Sequence, residues 1–419
     1  MLFVFGMFLI PIWNVYCMKL LCDALAYLIR LAETPITYLN ASPVETEKKS
    51  SIFGHDRSTI KFREPPPEGT STFSKLGWYA MGDLGLWSID FMMVMLLMFI
   101  NIAFQVAILS FAEATPFTTG GKMLDGIILG LLLVPLCIAD DLSALSKLSR
   151  MGLIILGLTL AVVAWYGSTG YHNIKYAGDA IDGGESDADN YNENRSSFNL
   201  YPLNGIAGVS KWFGCVVFSF GFVPITFNFR ESMAEPEKLP QTAMISMSFV
   251  AICYIIIGIY FLYLFPNIED DLLATIPSTG LLATATRVAM IVVVMATTPL
   301  LILPCAEIIE GKIIKNEDGQ TTRSTKLKVV IRTSILLVTV IIAAKLPGFV
   351  SVLAFVGCFA VSMVSFVLPP GLHWLLLSQG FHDGPGGLDY PFWSRICDLS
   401  MLLVGFATTV ITTWCNGSY

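Results

Sequence analysis

Apolar runs near the roughly 20 residues that a helix needs to cross a bilayer recur along the whole chain. They fall at residues 2–29, 89–111, 123–138, 148–165, 205–229, 242–265, 281–309, 329–344, 349–368 and 396–413. The pattern predicts roughly ten transmembrane helices in an all-α, polytopic membrane protein. The first run has no basic start and no small-residue cleavage site, so it does not read as a secretory signal. Between the runs lie polar segments. Residues 30–88 carry Lys48, Lys49, Arg57, Lys61 and Arg63, then Pro65-Pro66-Pro67-Glu68-Gly69, which is linker chemistry. Residues 167–204 are acidic, with Asp179, Asp182, Glu185, Asp187, Asp189 and Glu193. Asp140-Asp141 closes the third run and leads into a brief amphipathic piece.

Within the runs, the polar positions carry the information. Asn14, Lys19 and Asp23 interrupt the first run, so one face turns toward protein rather than lipid. For Asp23, a pairing with Lys19 or a helix cap is the plainer reading. Asn101 and Gln105 are four apart and share a helix face. They could line a pathway, but interhelical hydrogen bonding alone explains them. Thr297 and Thr298 precede Pro299 and Pro304. Their hydroxyls suit a bond back to the helix carbonyl four residues earlier, a common habit of membrane threonines.

The stretch 214–240, GCVVFSFGFVPITFNFRESMAEPEKLP, is the most unusual. Ser219, Gly221 and Pro224 sit in mid-span, where Gly weakens a helix and Pro removes a backbone donor. Two readings stand: an ordinary span with a Pro kink, or a helix broken at membrane depth. A break is tolerated there only where the freed groups face protein or a water-filled cavity.

Composition narrows the class. Hydrophobic residues make up 54% and charged residues 14%, with a mean hydropathy of +0.68. A soluble chain of this length would carry about 25% charge. The net charge of −7 comes mainly from acidic loops, and nothing points to nucleic acid. The nine cysteines lie mostly inside apolar runs without metal-type spacing and read as small buried hydrophobes. Lys and Arg are biased: with the N-terminus outside, 18 fall on the cytoplasmic side and 6 on the other, which favours that orientation. It puts the Asn194 and Asn416 sequons on the non-cytoplasmic face and the Asn40 sequon inside.

The segments after residue 210 resemble the amino acid/auxin permease family. Phe218-Ser219-Phe220-Gly221, then Glu231-Ser232-Met233 and Glu235-Pro236-Glu237-Lys238-Leu239-Pro240, are similar to its sixth helix and the element after it. Pro299-Leu300-Leu301 through Pro304-Cys305-Ala306-Glu307-Ile308-Ile309-Glu310 resembles the end of its eighth helix. Arg332, Gly357 and Phe366-Val367-Leu368-Pro369-Pro370 resemble positions in the helices that follow. Residues 80–165 match its third to fifth helices more loosely.

The resemblance implies a leucine-transporter-like inverted-repeat bundle with helices 1 and 6 broken around the solute. It divides the chain into a first transmembrane helix at 1–29, similar to the family's second, a cytoplasmic loop at 30–88 and a transporter domain at 89–419. It implies a secondary active transporter, not an enzyme, moving amino acids or similar zwitterions by alternating access with a proton or sodium gradient. Ser219, Phe220, Gly221 and Phe222, with Asn101, are then the expected solute contacts. Thr297 and Thr298 are the expected ion contacts. No cofactor beyond H+ or Na+ and no metal is expected, and the partners are the solute and the lipid bilayer. The protein is expected to be integral to the plasma membrane or to a vacuolar or other internal membrane.

The family's first helix, with a G-x-G-x-L-x-x-P-like break, has no counterpart here. Either the start is late or half of the site is missing. A regulatory permease-derived protein without transport is therefore the alternative. A membrane enzyme would want clustered His, Asp or Glu at a membrane face, and no such cluster appears. His373 and His382 lie past the run ending at Leu368 and look peripheral, with a proton role only weakly indicated.

Overall fold

A computed structural model describes residues 2–33, 66–67, 70–138, 142–169, 205–265, 271–273, 275–277, 280–313, 325–346, 348–378 and 392–417. The expectations for the linker at 34–65, Asp140-Asp141, the acidic loop, His382 and the Asn40 and Asn194 sequons lie outside these residues. The helices are α1 (Leu2–Glu33), α2 (Thr72–Met81), α3 (Asp83–Glu113), α4 (Lys122–Ile138), α5 (Leu142–Ser168), α6 (Gly205–Ser219), α7 (Thr226–Ser232), α8 (Leu239–Leu264), α9 (Leu281–Thr297), α10 (Pro299–Ile313), α11 (Thr325–Ala343), α12 (Phe349–Val356), α13 (Leu368–Ser378) and α14 (Phe392–Gly417). Strands are absent among the described residues. Eight helical stretches there are long and apolar enough to cross a membrane. The other two expected spans, α4 and α11, are also helical, at 17 and 19 residues.

One correction concerns the expected loop at 30–88. It holds helix α2, and α3 begins at Asp83 rather than near residue 89. Ser71 caps α2, accepting from the Ser74 backbone N–H at 3.2 Å, which satisfies one orphan donor of the first turn. Phe73, Leu76, Gly77 and Ala80 are its buried residues, spaced as one helical stripe. Gly82, at φ +72°, turns the chain into α3. Gly77 and Gly85 then touch backbone to backbone across the corner. A Cβ on Gly85 would lie 2.0 Å from the Gly77 carbonyl oxygen.

Two apolar cores organise the bundle. The first gathers α1, α2, α6, α12, α13 and the turn after α6. The second gathers α4, α5, α9, α10 and α11. Helices α3 and α8 contribute to both. The spans through α1 and α12–α13 are the most enclosed, whereas those through α5, α8 and α14 are mostly uncovered. Their bare faces carry large apolar side chains such as Leu153, Tyr263 and Val404, as helices facing lipid tails do.

The helix between α12 and α13 is wound wide. Residues Gly357–Val361 and Met363–Val367 are π-helical, and Ser362 Oγ donates to the Gly357 carbonyl five residues back at 2.9 Å. Such bulges favour functional positions. This one crosses α6 at two glycines. A Cβ on Gly357 would meet the Gly214 carbonyl oxygen at 1.9 Å, and one on Gly214 would meet the Ala354 carbonyl oxygen at 2.1 Å. Only a hydrogen fits at either position, so the two backbones touch.

Candidate functional site

The span through residue 221 is broken. Helix α6 stops at Ser219 and a 3-10 turn covers Val223–Ile225. The span resumes as α7 at Thr226. The Gly221 N–H donates to the Phe218 carbonyl at 3.2 Å, Phe222 N–H to Phe220 at 2.7 Å, and Ile225 N–H to Phe222 at 3.1 Å. None of these reaches back the four residues of an α-helix. The carbonyls of Val217 and Gly221 thereby lose their regular partners. Pro224 brings no donor of its own.

Four of the expected solute residues, Ser219, Phe220, Gly221 and Phe222, lie at this break, whereas Asn101 lies on α3 against α11. Ser219 is exposed, and its hydroxyl donates to the Cys215 carbonyl at 2.8 Å. Phe220 is buried, its ring 5.8 Å from that of Tyr254 on α8. Gly221 is packed close: a Cβ there would sit 2.9 Å from Val361 Cγ1 of the π segment. Phe222 is half-buried with its ring 4.9 Å from Phe229. Asn101 is fully enclosed on α3 and donates to Thr339 Oγ1 on α11 at 3.2 Å. Its Oδ1 and Gln105 Nε2 have no hydrogen-bond partner. Thr297 Oγ1 and Thr298 Oγ1 donate to the Val294 carbonyl at 2.9 and 2.8 Å, at the junction of α9 and α10. Lys19 is exposed and Asp23 half-buried.

Three further side chains belong beside the break. Asn14 on α1, Thr226 at the start of α7 and Ser365 in the π segment are each 0% exposed. Asn14 Oδ1, Thr226 Oγ1 and Ser365 Oγ lack hydrogen-bond partners. The three elements that carry or adjoin them, α1, the 3-10 turn and the π segment, touch pairwise. Trp13 stacks on Phe366 with centroids 4.3 Å apart, which brings the neighbours of Asn14 and Ser365 together. Leaving a buried polar atom unpaired costs about 1–3 kcal/mol, so three of them on elements packed at this break make it a candidate binding place. Asn14 stood out in the sequence as a polar residue in an apolar run. Thr226 and Ser365 gave no signal, because either residue type is ordinary in a membrane helix.

Short helix α2 braces the far side of the break. Thr72 Oγ1 donates to Glu231 Oε1 at 2.8 Å, and the rings of Phe73 and Phe227 meet edge to face at 5.3 Å. Ser74 donates to Asp90 on α3. Lys312, at the end of α10, pairs with Asp90 at 2.9 Å and covers the Trp87 ring at 3.7 Å. The expectation for His373 needs correction: it is buried, 3% exposed, and paired with Asp398. Helix α14, packed along α13, encloses it. Among the described residues no group of His, Cys, Asp or Glu is arranged to hold a metal ion.

Comparison with known proteins agrees with this architecture. The family model described as transmembrane amino acid transporter protein matches residues 1–415. Among individual relatives, amino acid transporter AVT3C of Arabidopsis thaliana is 24% identical over 201 residues, 48% of this chain and 42% of that protein. Amino acid transporter AVT1E of the same plant is 24% identical over 257 residues, 60% of this chain and 44% of its own length. Vacuolar amino acid transporter 4 of Saccharomyces cerevisiae is 25% identical over 245 residues, 51% of this chain and 32% of its own. The chain thus spans less than half the length of each of these relatives. With a family match running from the first residue almost to the last, this multi-pass membrane protein belongs to the transmembrane amino acid transporter family.

Proposed function

We propose that the chain carries amino acids, or closely similar zwitterions, across its membrane by alternating access, using a proton or sodium gradient. The observation that carries this reading is the break in the α6–α7 span. Freed carbonyls of Val217 and Gly221 suit an ammonium group. The hydroxyls of Thr226 and Ser365 suit the carboxylate, whose oxygens accept hydrogen bonds, while Asn14, whose Nδ2 donates to the Ile10 carbonyl at 3.1 Å, offers Oδ1 as an acceptor for the ammonium group. Phe220 and Phe222 flank the same turn as apolar walls. The relatives' names point to the same solute class.

The two apolar cores supply bodies that can rock. The broken span belongs to the first, and α3, shared by both, lies between them. Tilting one body against the other would open the break first to one side and then to the other. Thr297 and Thr298 donate their protons into the helix. Their oxygens keep lone pairs, so a sodium role for them is compatible with these bonds.

The test is uptake by the full chain in proteoliposomes, with a labelled mixture of the twenty amino acids. Saturable uptake is expected, and the Gly221→Leu protein should lose it, because the new side chain overlaps Val361 and fills the turn. Normal transport by Gly221→Leu would remove the broken-helix site from consideration.

A further inference from the structure

Apart from the break, the bundle buries a second polar cluster. His373 on α13 places Nδ1 2.6 Å from Asp398 Oδ2 on α14. The Tyr16 hydroxyl on α1 donates to Asp398 Oδ1 at 3.1 Å. His373 is 3% exposed and Asp398 1%, and all three residues lie within candidate membrane spans. Burying an ionisable pair among packed helices is costly, and a well-packed apolar set stabilises a core as well or better. The cluster therefore serves more than cohesion. It is also wired to the break. Trp13, one turn before Tyr16, stacks on Phe366 of the π segment. The His373 ring sits two turns beyond Phe366 on the same continuous span. Helix α1 is thus held at two adjacent turns, by Phe366 of the π segment at Trp13 and by Asp398 of α14 at Tyr16, and it touches the 3-10 turn beside the solute site.

We propose that His373 and Asp398, steadied by Tyr16, form the site that takes up and releases the coupling proton. This rests on the transport reading above. A proton from water adds to the imidazole and gives an imidazolium–carboxylate pair. Its return to water on the opposite side leaves a neutral ring and a carboxylate held by the Tyr16 hydroxyl. The cluster's charge changes by one unit and no other reactant is needed. The change alters the grip on α1 and so the seat of α1 against the break.

The surrounding groups do not compete for the role. The thiols of Cys17 and Cys397 lie within electrostatic range of Tyr16. Arg395 is one turn before Asp398 and half-buried. Helix α2, packed on α13, brings exposed Lys75 and half-buried Tyr79, and α6, packed on α14, brings half-buried Lys211. Imidazole is the side-chain type that changes charge between about pH 5 and 8.

Two measurements on the full chain in proteoliposomes test this. Counterflow of the labelled amino acid mixture needs no proton gradient and reports the transport reading alone; its absence in the unmodified chain sinks that reading. Uptake driven by an imposed pH gradient reports coupling. For His373→Gln and Asp398→Asn, counterflow should persist while pH-driven accumulation falls about tenfold or more, within the 5–150-fold range of site-to-site couplings. Tyr16→Phe should keep both and shift the pH dependence of uptake. Accumulation like that of the unmodified chain in His373→Gln overturns the assignment. So does loss of counterflow and accumulation together in His373→Gln and Asp398→Asn with an unshifted pH profile in Tyr16→Phe, since the cluster is then a structural clasp.

Discussion

At Gly221 two demands meet. The residue interrupts the α6–α7 span, and it also faces the π segment so closely that a Cβ would sit 2.9 Å from Val361 Cγ1 and 3.2 Å from the Phe218 carbonyl oxygen. One of those neighbours is a methyl group that can be removed; the other is backbone. Gly221→Ala should therefore destabilise the protein by about 1–3 kcal/mol, the usual cost of overpacking. Val361→Ala should relieve part of this, so the double variant loses less stability than the two single losses added together, with a coupling of about 0.5–3 kcal/mol. Thermal unfolding of the four purified proteins gives the cycle. Simple additivity would show that Gly221 and Val361 do not bear on each other. The glycine itself was readable in the sequence, being a helix-weakening residue three positions before a proline. Its contact with Val361 was not, because the two lie 140 residues apart and only the fold joins them. The fold likewise hid His373, which looked peripheral until Asp398 of the next helix, 25 residues on, closed over it.

Individual elements differ in how much their sequence disclosed. Eight of the spans were plain, since each is an apolar run of membrane length, and Gly221 and Pro224 marked where one span departs from regular winding, with a kink and a break both left as readings. Helix α2 was missed although its stripe of Phe73, Leu76, Gly77 and Ala80 was in view. It follows a proline-rich stretch, and its ten residues are too few for a span. The π-helical winding between α12 and α13 left no mark at all, because its residues are ordinary apolar ones. What it needs is shown at its crossing with α6, where Gly214 and Gly357 meet backbone to backbone. Neither backbone can yield as a flexible side chain would. Gly357→Ala should accordingly cost about 3 kcal/mol or more, the upper end for overpacking. Gly157→Ala on α5 is the control: nothing lies within 4 Å of a Cβ there, and a helical alanine should gain up to about 1 kcal/mol. Melting temperatures in detergent that fall for the first and hold or rise for the second are expected. Equal behaviour would mean that the α6 crossing is not as tight as described.

Across the whole molecule, the alternation of sides along the chain turns on α4. At about 1.5 Å per residue its 17 residues reach about 25 Å, short of a typical hydrocarbon core near 30 Å. The contacts at its two ends decide the matter. Its first residue, Lys122, pairs at 3.1 Å with Glu113 at the end of α3, and Asp125 in its first turn accepts from the Thr119 backbone N–H at 2.9 Å. Its last carbonyls, of Cys137 and Ile138, accept from Arg332 Nη1 at 3.3 and 3.4 Å. Arg332 in turn pairs with Glu310 on α10, two residues before the Lys312 that pairs with Asp90 near the start of α3. Helix α4 therefore ends among groups near the start of the 31-residue α3, and a helix somewhat shorter than the hydrocarbon core can cross where the lipid thins locally. That level also holds Lys312 and Arg332, both on the side that the Lys and Arg bias marks as cytoplasmic. With α4, α5 and the α6–α7 span all crossing, the turn after α3 and the turn after α7 lie on opposite sides. Phe117→Cys and Glu237→Cys, both at exposed positions, should then react with a membrane-impermeant maleimide from opposite faces of sealed vesicles, measured above the background of the unmodified chain. Labelling of both from one face would mean that α4 turns back within the lipid, and the alternation of sides along the chain would have to be redrawn from that point on.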